Sequence, residues 1–534
     1  MLGVICVFVV VTCALAAATL ATLIKRFDSI KDSGSEQTTV APTHVSLTQS
    51  VRVEDAMAHL NEFQRIAHAE SRTRAVNTPG FNRTLDYITN YLSANTNYNV
   101  TKSYFPIKNF ELARNPILLS SISGTIIDHM YSNDLSKAEF YHVHYSTQTN
   151  FSSFVSLTAI PNLGCSDADW LAASSPPVGR VALVKRGDCT FGQKSSLAIK
   201  YNVTTILFYN DGTSSDRIAP IALSLGRYNT LPALSLSFTL GQLLVNMTSD
   251  PSINASIRIE IALKNEGTRP VGNICADTLT GDPTQTIVIG SHTDSVPDGP
   301  GINDNGSGSA ANLVMAVALA RLFQTPTYTE YKYRVRFCWW GAEELGLSGS
   351  TYHVTQARNS TTVGERITDY LVNFNYDMVG SSNYIFGIYD GKTAQNSTPS
   401  SAIPGSNKIS ALFRDWFIGQ NLPWDFADFN GRSDYGPFLA AGIVAGGVTS
   451  GSNAIKTQEQ RDRYDRMLGQ GLGGIVGAMR DPCYHQACDT IQNINIFAYE
   501  KILKAAAYAL EYLGRQNDLK TWLYPSTKIE ETSH

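Results

Sequence analysis

The chain reads as an α/β protein built on a mainly parallel sheet flanked by helices, with a β-rich insert, and three observations predict this. Thr286-Ile287-Val288-Ile289 and Leu371-Val372-Asn373-Phe374 are short apolar runs of the kind that fill buried strands. After Gly308 the run SAANLVMAVALARLF has helical composition, so a strand, an irregular loop and a helix follow one another. From about residue 121 to 261 the chain changes to short β-type runs and turn residues.

With 534 residues, 43% hydrophobic and 16% charged, the chain has material for two or more domains. A net charge of −4 supplies no basic footprint for nucleic acid. Leu2 to Ile24 carries no charge and ends at Lys25-Arg26. Its small residues around Ala14-Leu15-Ala16 fit a processing site, so residues 1–24 are read as a secretory signal. An uncleaved membrane anchor is the alternative, and a membrane is a partner only in that case. Export also suits the cysteines: beyond the leader there are Cys165, Cys189, Cys275, Cys338, Cys483 and Cys488, an even number without C-x-x-C pairs. Nine N-x-S/T sequons point the same way, and the one at Asn305 is expected to stay unmodified. Secretion is therefore the predicted destination, with a vacuolar or lysosome-like compartment as the alternative.

Residues 25–50 are polar and rich in Ser and Thr, as a linker or removed propeptide would be. Order is expected from about Val51. VEDAMAHLNEFQRIAHA and FNRTLDYITNYLS space their apolar residues at helical intervals around the breaker Asn77-Thr78-Pro79-Gly80, and Asn99 to Phe105 reads as a strand. The insert, residues 121–261, divides a catalytic domain of residues 51–120 and 262–520, and 521–534 is a tail. Within the insert, GRVALVKRGDCTFGQKSSLAIKYNVTTILFYND resembles the protease-associated domain. Its Lys185-Arg186 pair is read as a solvated turn, and Cys165 and Cys189 are placed to pair.

Polar residues then gather at strand ends. His292 and Asp304 stand twelve apart on the loop after Ile289, with Asp294 between them. Open α/β sheets place ligands at such strand ends. The strand Arg334 to Trp340 runs into Glu343-Glu344, two adjacent carboxylates that repel unless cations or protons lie between them. Leu371 to Tyr376 delivers Asp377, and Asp481-Pro482-Cys483-Tyr484-His485-Gln486-Ala487-Cys488-Asp489 brings a histidine into a loop that two cysteines can close. Singly, each is an ordinary turn or half-buried residue. Together they are the nitrogen and oxygen ligands that zinc takes.

The order H-x-D, D-N-G-S-G, A-E-E, D-M-V-G and C-Y-H-Q-A-C-D resembles the secreted and vacuolar co-catalytic zinc aminopeptidases, the group that includes aminopeptidase Y. Thr73 to Gly80 resembles their opening segment, although Asn77 stands where a glycine is common. The resemblance implies a zinc exopeptidase fold and two Zn(2+) per chain: His292 and Asp377 on one, Glu344 and His485 on the other, Asp304 bridging. Two such cations roughly 3.5–4 Å apart need an anion between them. Asp294 is expected to accept the second ring N–H of His292. Glu343 keeps no metal and becomes the general base, while Tyr484 helps stabilise the oxyanion. The segments Arg432-Ser433-Asp434-Tyr435-Gly436-Pro437-Phe438 and Gly446 to Gly451 resemble the family's substrate-facing loops, which puts Arg432, Asp434 and Phe438 beside substrate and an apolar pocket near Phe438. A disulfide between Cys483 and Cys488 would hold Tyr484 and His485 in place. The implied substrates are peptides or proteins with a free N-terminus. A carboxypeptidase or dipeptidase of the same fold would use the same ligands, and a glutaminyl cyclase relative would work with one zinc. A non-catalytic receptor module would have lost ligands, and this chain keeps them all.

Overall fold

The strand β1 (Asn99–Lys108) enters the central sheet, and β2 (Thr268–Asp277) returns beside it after the insert. The sheet continues with β3 (Asp282–His292), β4 (Tyr333–Trp340), β5 (Tyr370–Tyr376), β6 (Gly387–Asp390), β7 (Asp425–Asp428) and β8 (Val444–Thr449). Its spatial order is β1-β2-β4-β3-β5-β8-β6-β7. The centre, β4-β3-β5-β8, is parallel, as is β6-β7; β1-β2, β2-β4 and β6-β8 are antiparallel. This computed structural model describes residues 46–525 except 188, 214–216, 227, 228, 251, 265, 266, 396 and 397. The predicted leader, most of the linker, the end of the tail and the Asn396 sequon lie outside the described residues.

Burial on both faces explains why the central strands read as continuous apolar runs. Ile287 and Ile289 point into one core with Phe337 and Phe374, while Val288 and Trp340 point into the other. Helices cover both faces. On the first lie α1 (Val53–Ala69), α2 (Pro79–Asn95), α3 (Gly308–Phe323) and the later helices Ile403–Gly419 and Ile496–Gly514. On the second lies Ser348–Asn359, through Val354 and Ala357. The predicted breaker is the start of α2: Pro79 sits in its first turn and Thr78 Oγ1 accepts from the Phe81 N–H at 3.3 Å. Because α3 is apolar nearly all round, it is buried nearly all round, as a core helix must be.

The insert folds as a second sheet. Val155–Ala159, Val181–Lys185, Thr205–Tyr209 and Ala233–Leu236 run parallel, with the helix Phe191–Lys200 crossing between the second and third. Antiparallel strands, Ile117–Ile122 and Ala255–Ile261 among them, extend one edge. Parallel pairing requires such a crossover, which is why its strands are apolar without alternation. The Lys185-Arg186 turn corrects an expectation: the Arg186 side chain is only 14% exposed and donates to Asn210 Oδ1 at 3.1 Å, so it is not solvated.

Three disulfides cross-link the described residues: Cys165–Cys189, Cys483–Cys488 and Cys275–Cys338. The last joins directly opposed residues of β2 and β4. Of the sequon asparagines, Asn82, Asn99, Asn150, Asn202, Asn246, Asn254 and Asn359 are exposed, whereas Asn305 is fully buried. The Asn305 amide is used internally, donating to Tyr376 O and accepting from Gly308 N and Met378 N.

Candidate metal centre

The C-terminal ends of the parallel strands bring the ligating side chains together. β3 ends at His292, β4 runs on to Glu343 and Glu344, and β5 runs on to Asp377. Asp304 comes from the tight turn Ile302–Ser307 that leads into α3, and His485 from the disulfide-closed loop. Gly308 lets α3 begin against β5, because a Cβ there would lie 2.1 Å from Tyr376 O.

Two ligand sets result, His292-Asp304-Asp377 and Asp304-Glu344-His485, sharing Asp304. His292 Nε2 lies 3.3 Å from Asp304 Oδ1 and 3.4 Å from Asp377 Oδ1. His485 Nε2 lies 3.2 Å from both Asp304 Oδ2 and Glu344 Oε2. Tetrahedral ligands about 2.0–2.2 Å from a zinc ion stand roughly 3.3 Å apart, so these spacings fit the metal. Asp377 Oδ1 and Glu344 Oε1 are buried without a hydrogen-bond partner among the described residues, as atoms reserved for a cation would be. Glu343, 3.9 Å from His292 Nε2, belongs to neither set.

The electrostatics ask for positive charge. Burial first, then Glu344, Asp434 and Asp377, push the Glu343 carboxyl well above its usual range despite the opposing His292. Burial likewise raises Glu344, and lifts Asp434 to about 7. Asp304 is held low: burial opposes ionisation, but hydrogen bonds from His292 and His485 outweigh it. Burial keeps the Tyr484 phenol protonated by raising it, and its ring stacks on His485 at 3.8 Å.

The supporting shell departs from expectation at Asp294. His292 Nδ1 meets the Asp294 backbone carbonyl at 3.1 Å, while the carboxylate stands 3.6 Å away. That carboxylate instead accepts from the Glu343 and Glu344 N–H groups at 3.1 and 3.3 Å, fixing the glutamate pair relative to His292. Substrate-facing positions also need correction. Arg432 is exposed, but Asp434 and Phe438 are fully buried. Phe438 points inward from the short helix Tyr435–Ala440 and packs on Trp340 with centroids 5.9 Å apart, so its ring belongs to the core.

Sequence reasoning missed four supports. Arg74, fully buried, donates to the carbonyls of Thr293, Pro300 and Gly301 and so clasps the loop between His292 and Asp304. Asp489 accepts from the Asn303 and Asp304 N–H groups at 2.8 and 2.9 Å, and Asp481 holds the Asn303 amide. Ser433 Oγ donates to Asp377 Oδ2 at 2.6 Å and is itself held by Asn375. Such partners orient ligands and tune their basicity. The backbone is strained at the same places: Ala342, Met378 and His485 have φ of 61°, 52° and 59°, a left-handed conformation costing roughly 1–3 kcal/mol each.

Two imidazoles and three carboxylates sharing one aspartate, at the strand ends of an α/β sheet, define a metal-dependent hydrolase. Residues 273–510 match Peptidase family M28, and residues 153–244 match the PA domain. The chain is similar to the probable leucine aminopeptidase 2 of Aspergillus fumigatus, 38% identical over 68% of this chain and 68% of the relative. It is 29% identical to aminopeptidase Y of Saccharomyces cerevisiae over 87% of this chain and 79% of that one. The fold is shared with the aminopeptidase from Aneurinibacillus sp. strain AM-1 (TM-score 0.59, 20% identity, 87% of this chain and 94% of that one). The chain belongs to Peptidase family M28 and is a metal-dependent exopeptidase with an inserted PA domain.

Proposed function

We propose that the chain is a secreted aminopeptidase that holds two zinc ions and removes the first residue of a peptide, favouring apolar first residues. The observation that carries this is the pair of ligand sets joined through Asp304. His292 and Asp377 would hold one ion, Glu344 and His485 the other, with Asp304 on both. When bound, the ions supply Lewis acidity, which makes water a nucleophile at neutral pH and polarises the scissile carbonyl.

The chain's own groups do the rest. Glu343 takes the proton of the attacking water on its carboxylate and passes it to the leaving amine; it is buried beside the ligands but free of them. Tyr484, kept protonated by burial, donates its hydroxyl to the developing oxyanion. The crowded carboxylates Glu343, Asp377 and Asp434 make the Glu343 side of the site receptive to the substrate's ammonium group. The apolar preference rests on the leucine aminopeptidase relative. Secretion rests on the uncharged leader, the disulfides and the exposed sequons.

A panel of free, N-acetylated and C-amidated leucyl peptides tests the reading, alongside metal analysis of the purified protein. Cleavage of leucyl-glycine amide but not of acetyl-leucyl-glycine, with two zinc ions per chain, is expected. Cleavage of the acetylated peptide with its amide left intact would make the enzyme a carboxypeptidase.

A further inference from the structure

One corner of the second sheet has an open edge and exposed isoleucines, and two sequons stand on the same face. The strand Thr125–Asp128 is the last of that sheet, so its outer edge pairs with no strand among the described residues. All four of its residues are exposed, Ile126 by 60% and Ile127 by 39%. An edge of this kind is a template for pairing with another chain unless something covers it, and Asp128 supplies its one charge.

The register decides which side chains share a face. Along Ala255–Ile261 burial alternates: Ala255, Ile257, Ile259 and Ile261 enter the core, so Ser256, Arg258 and Glu260 point outward. Directly opposed residues of antiparallel strands lie on the same side. Ser256 opposes Ser121, which opposes Ile126, and Glu260 opposes Ile117, itself 38% exposed. The outer face therefore carries both isoleucines. Asn150 opposes Glu260 from the other flank, and so falls on this face. Asn254, two residues before Ser256, falls on it too, where the Ser123 N–H donates to the Asn254 carbonyl at 3.1 Å and extends the ladder. Both asparagines are exposed, and both open sequons, Asn150-Phe151-Ser152 and Asn254-Ala255-Ser256. With strands about 4.8 Å apart and residues about 3.4 Å apart, Asn150 stands roughly 10 Å from Ile117, and Asn254 roughly 12 Å from Ile126.

We propose that Asn150 and Asn254 carry N-linked glycans that lie over this face and keep the Thr125–Asp128 edge from pairing with a second copy of the chain. The inference rests on the secretion reading, because the sugar donor, a polyprenyl-diphosphate oligosaccharide, is met on the export route. In the transfer the amide nitrogen of each asparagine bonds to C1 of the first sugar and the bond from C1 to the diphosphate oxygen breaks. The polyprenyl diphosphate leaves, and the displaced amide proton passes to solvent. The sugars are bulky and polar, so they hide the isoleucines without adding a sticky surface.

Glycopeptide mapping by mass spectrometry, on the full chain from a secretory eukaryotic host, should find sugar on both asparagines. Ser152→Ala with Ser256→Ala abolishes both sequons and keeps the asparagines. By light scattering, that double variant should self-associate at a concentration about tenfold or more below the wild type, because each copy then offers bare isoleucines. Its turnover of leucyl-p-nitroanilide at high dilution should be unchanged. Adding Ile126→Lys, which puts a charge on the edge, should reverse the association. Endoglycosidase trimming of the folded wild-type protein should produce the same shift, whether or not the variants fold. Absence of sugar from Asn150 or Asn254 while other sequons carry it overturns the proposal, and so does trimmed protein that associates no more than intact protein. No sugar at any sequon would instead overturn the secretion reading, and the proposal with it.

Discussion

Replacing Glu343 by Gln separates base from ligand in the glutamate pair. Glu343 Oε2 lies 3.9 Å from His292 Nε2, outside both ligand sets, whereas Glu344 Oε2 lies 3.2 Å from His485 Nε2 and belongs to one. The amide keeps the shape of the side chain, and the hydrogen bond from the Glu343 N–H to Asp294 is a backbone contact that the substitution leaves alone. What it cannot do is accept the proton of water and hand it on. General-base removal costs about 10²–10⁴ in kcat, and one group serving two transfers puts the loss near 10³ or beyond, about 4 kcal/mol of transition-state stabilisation. Stopped assays with leucyl-p-nitroanilide, with zinc measured by mass spectrometry on the same preparation, should show kcat down by that factor, KM within about threefold and zinc retained. Glu344→Gln should lose metal first. A Glu343→Gln enzyme that keeps more than about a tenth of kcat, or that is the variant to shed zinc, would refute the assignment.

Ser433→Ala removes the 2.6 Å hydrogen bond to Asp377 and should weaken zinc affinity about tenfold, read by competition with a chelator; unchanged affinity would show that Asp377 needs no such support. Paired Cys483→Ser and Cys488→Ser substitutions should cost at most about 2 kcal/mol of stability yet release His485, so zinc affinity should fall more than melting temperature suggests; full retention of metal would count against a positioning role. Acid should destabilise the fold through His59, 3% exposed and pushed down to about 4 by burial. The unfolded chain, with an imidazole pKa near 6.5, binds that proton first, so the contribution is complete above about pH 6.5 and is lost as pH falls towards 4. At pH 5 this amounts to about 2 kcal/mol, which His59→Gln should remove from the urea-midpoint difference between pH 7 and 5.

Three of the ligands were legible because each ends or follows an apolar run that can only be a buried strand, and strand ends are where side chains converge. His292 ends β3, Glu344 and Asp377 stand just beyond β4 and β5, and the sheet order supplies the rest. What escaped depends on contacts that carry no pattern along the chain. Arg74 binds carbonyls, which every residue has, so nothing near it in sequence marks its partners. Cys275 and Cys338 are 63 residues apart, and their pairing follows from the β2-β4 register. The direction of the insert strands was not legible, because a short apolar run does not reveal it. Phe438 was misplaced because loop resemblance says which segment borders a cleft but not which way a side chain turns from a short helix. Arg186 was taken for a surface charge because its burial arises from Asn210, Asp211 and Arg217, which come from a different turn.

The ladder that carries the insert bears on how such a chain could be assembled. Asn99 pairs with Asp277 at one end of β1-β2 and Lys108 with Thr268 at the other, so the insert leaves and returns through adjacent partners. In gene-architecture terms it is an overgrown hairpin: a short turn from 108 to 268 would close the ladder without rethreading any strand. Every candidate metal ligand lies downstream of that junction, and the Cys275–Cys338 bond fastens the ladder to β4 whatever its tip carries. Gain or loss of the insert is thus a single splice that leaves the hydrolytic centre whole. The contacts forfeited include Gly226 on Gly346, Gln193 on Gln395 and the packing of Tyr145 into the main core, and Arg186 would leave with them.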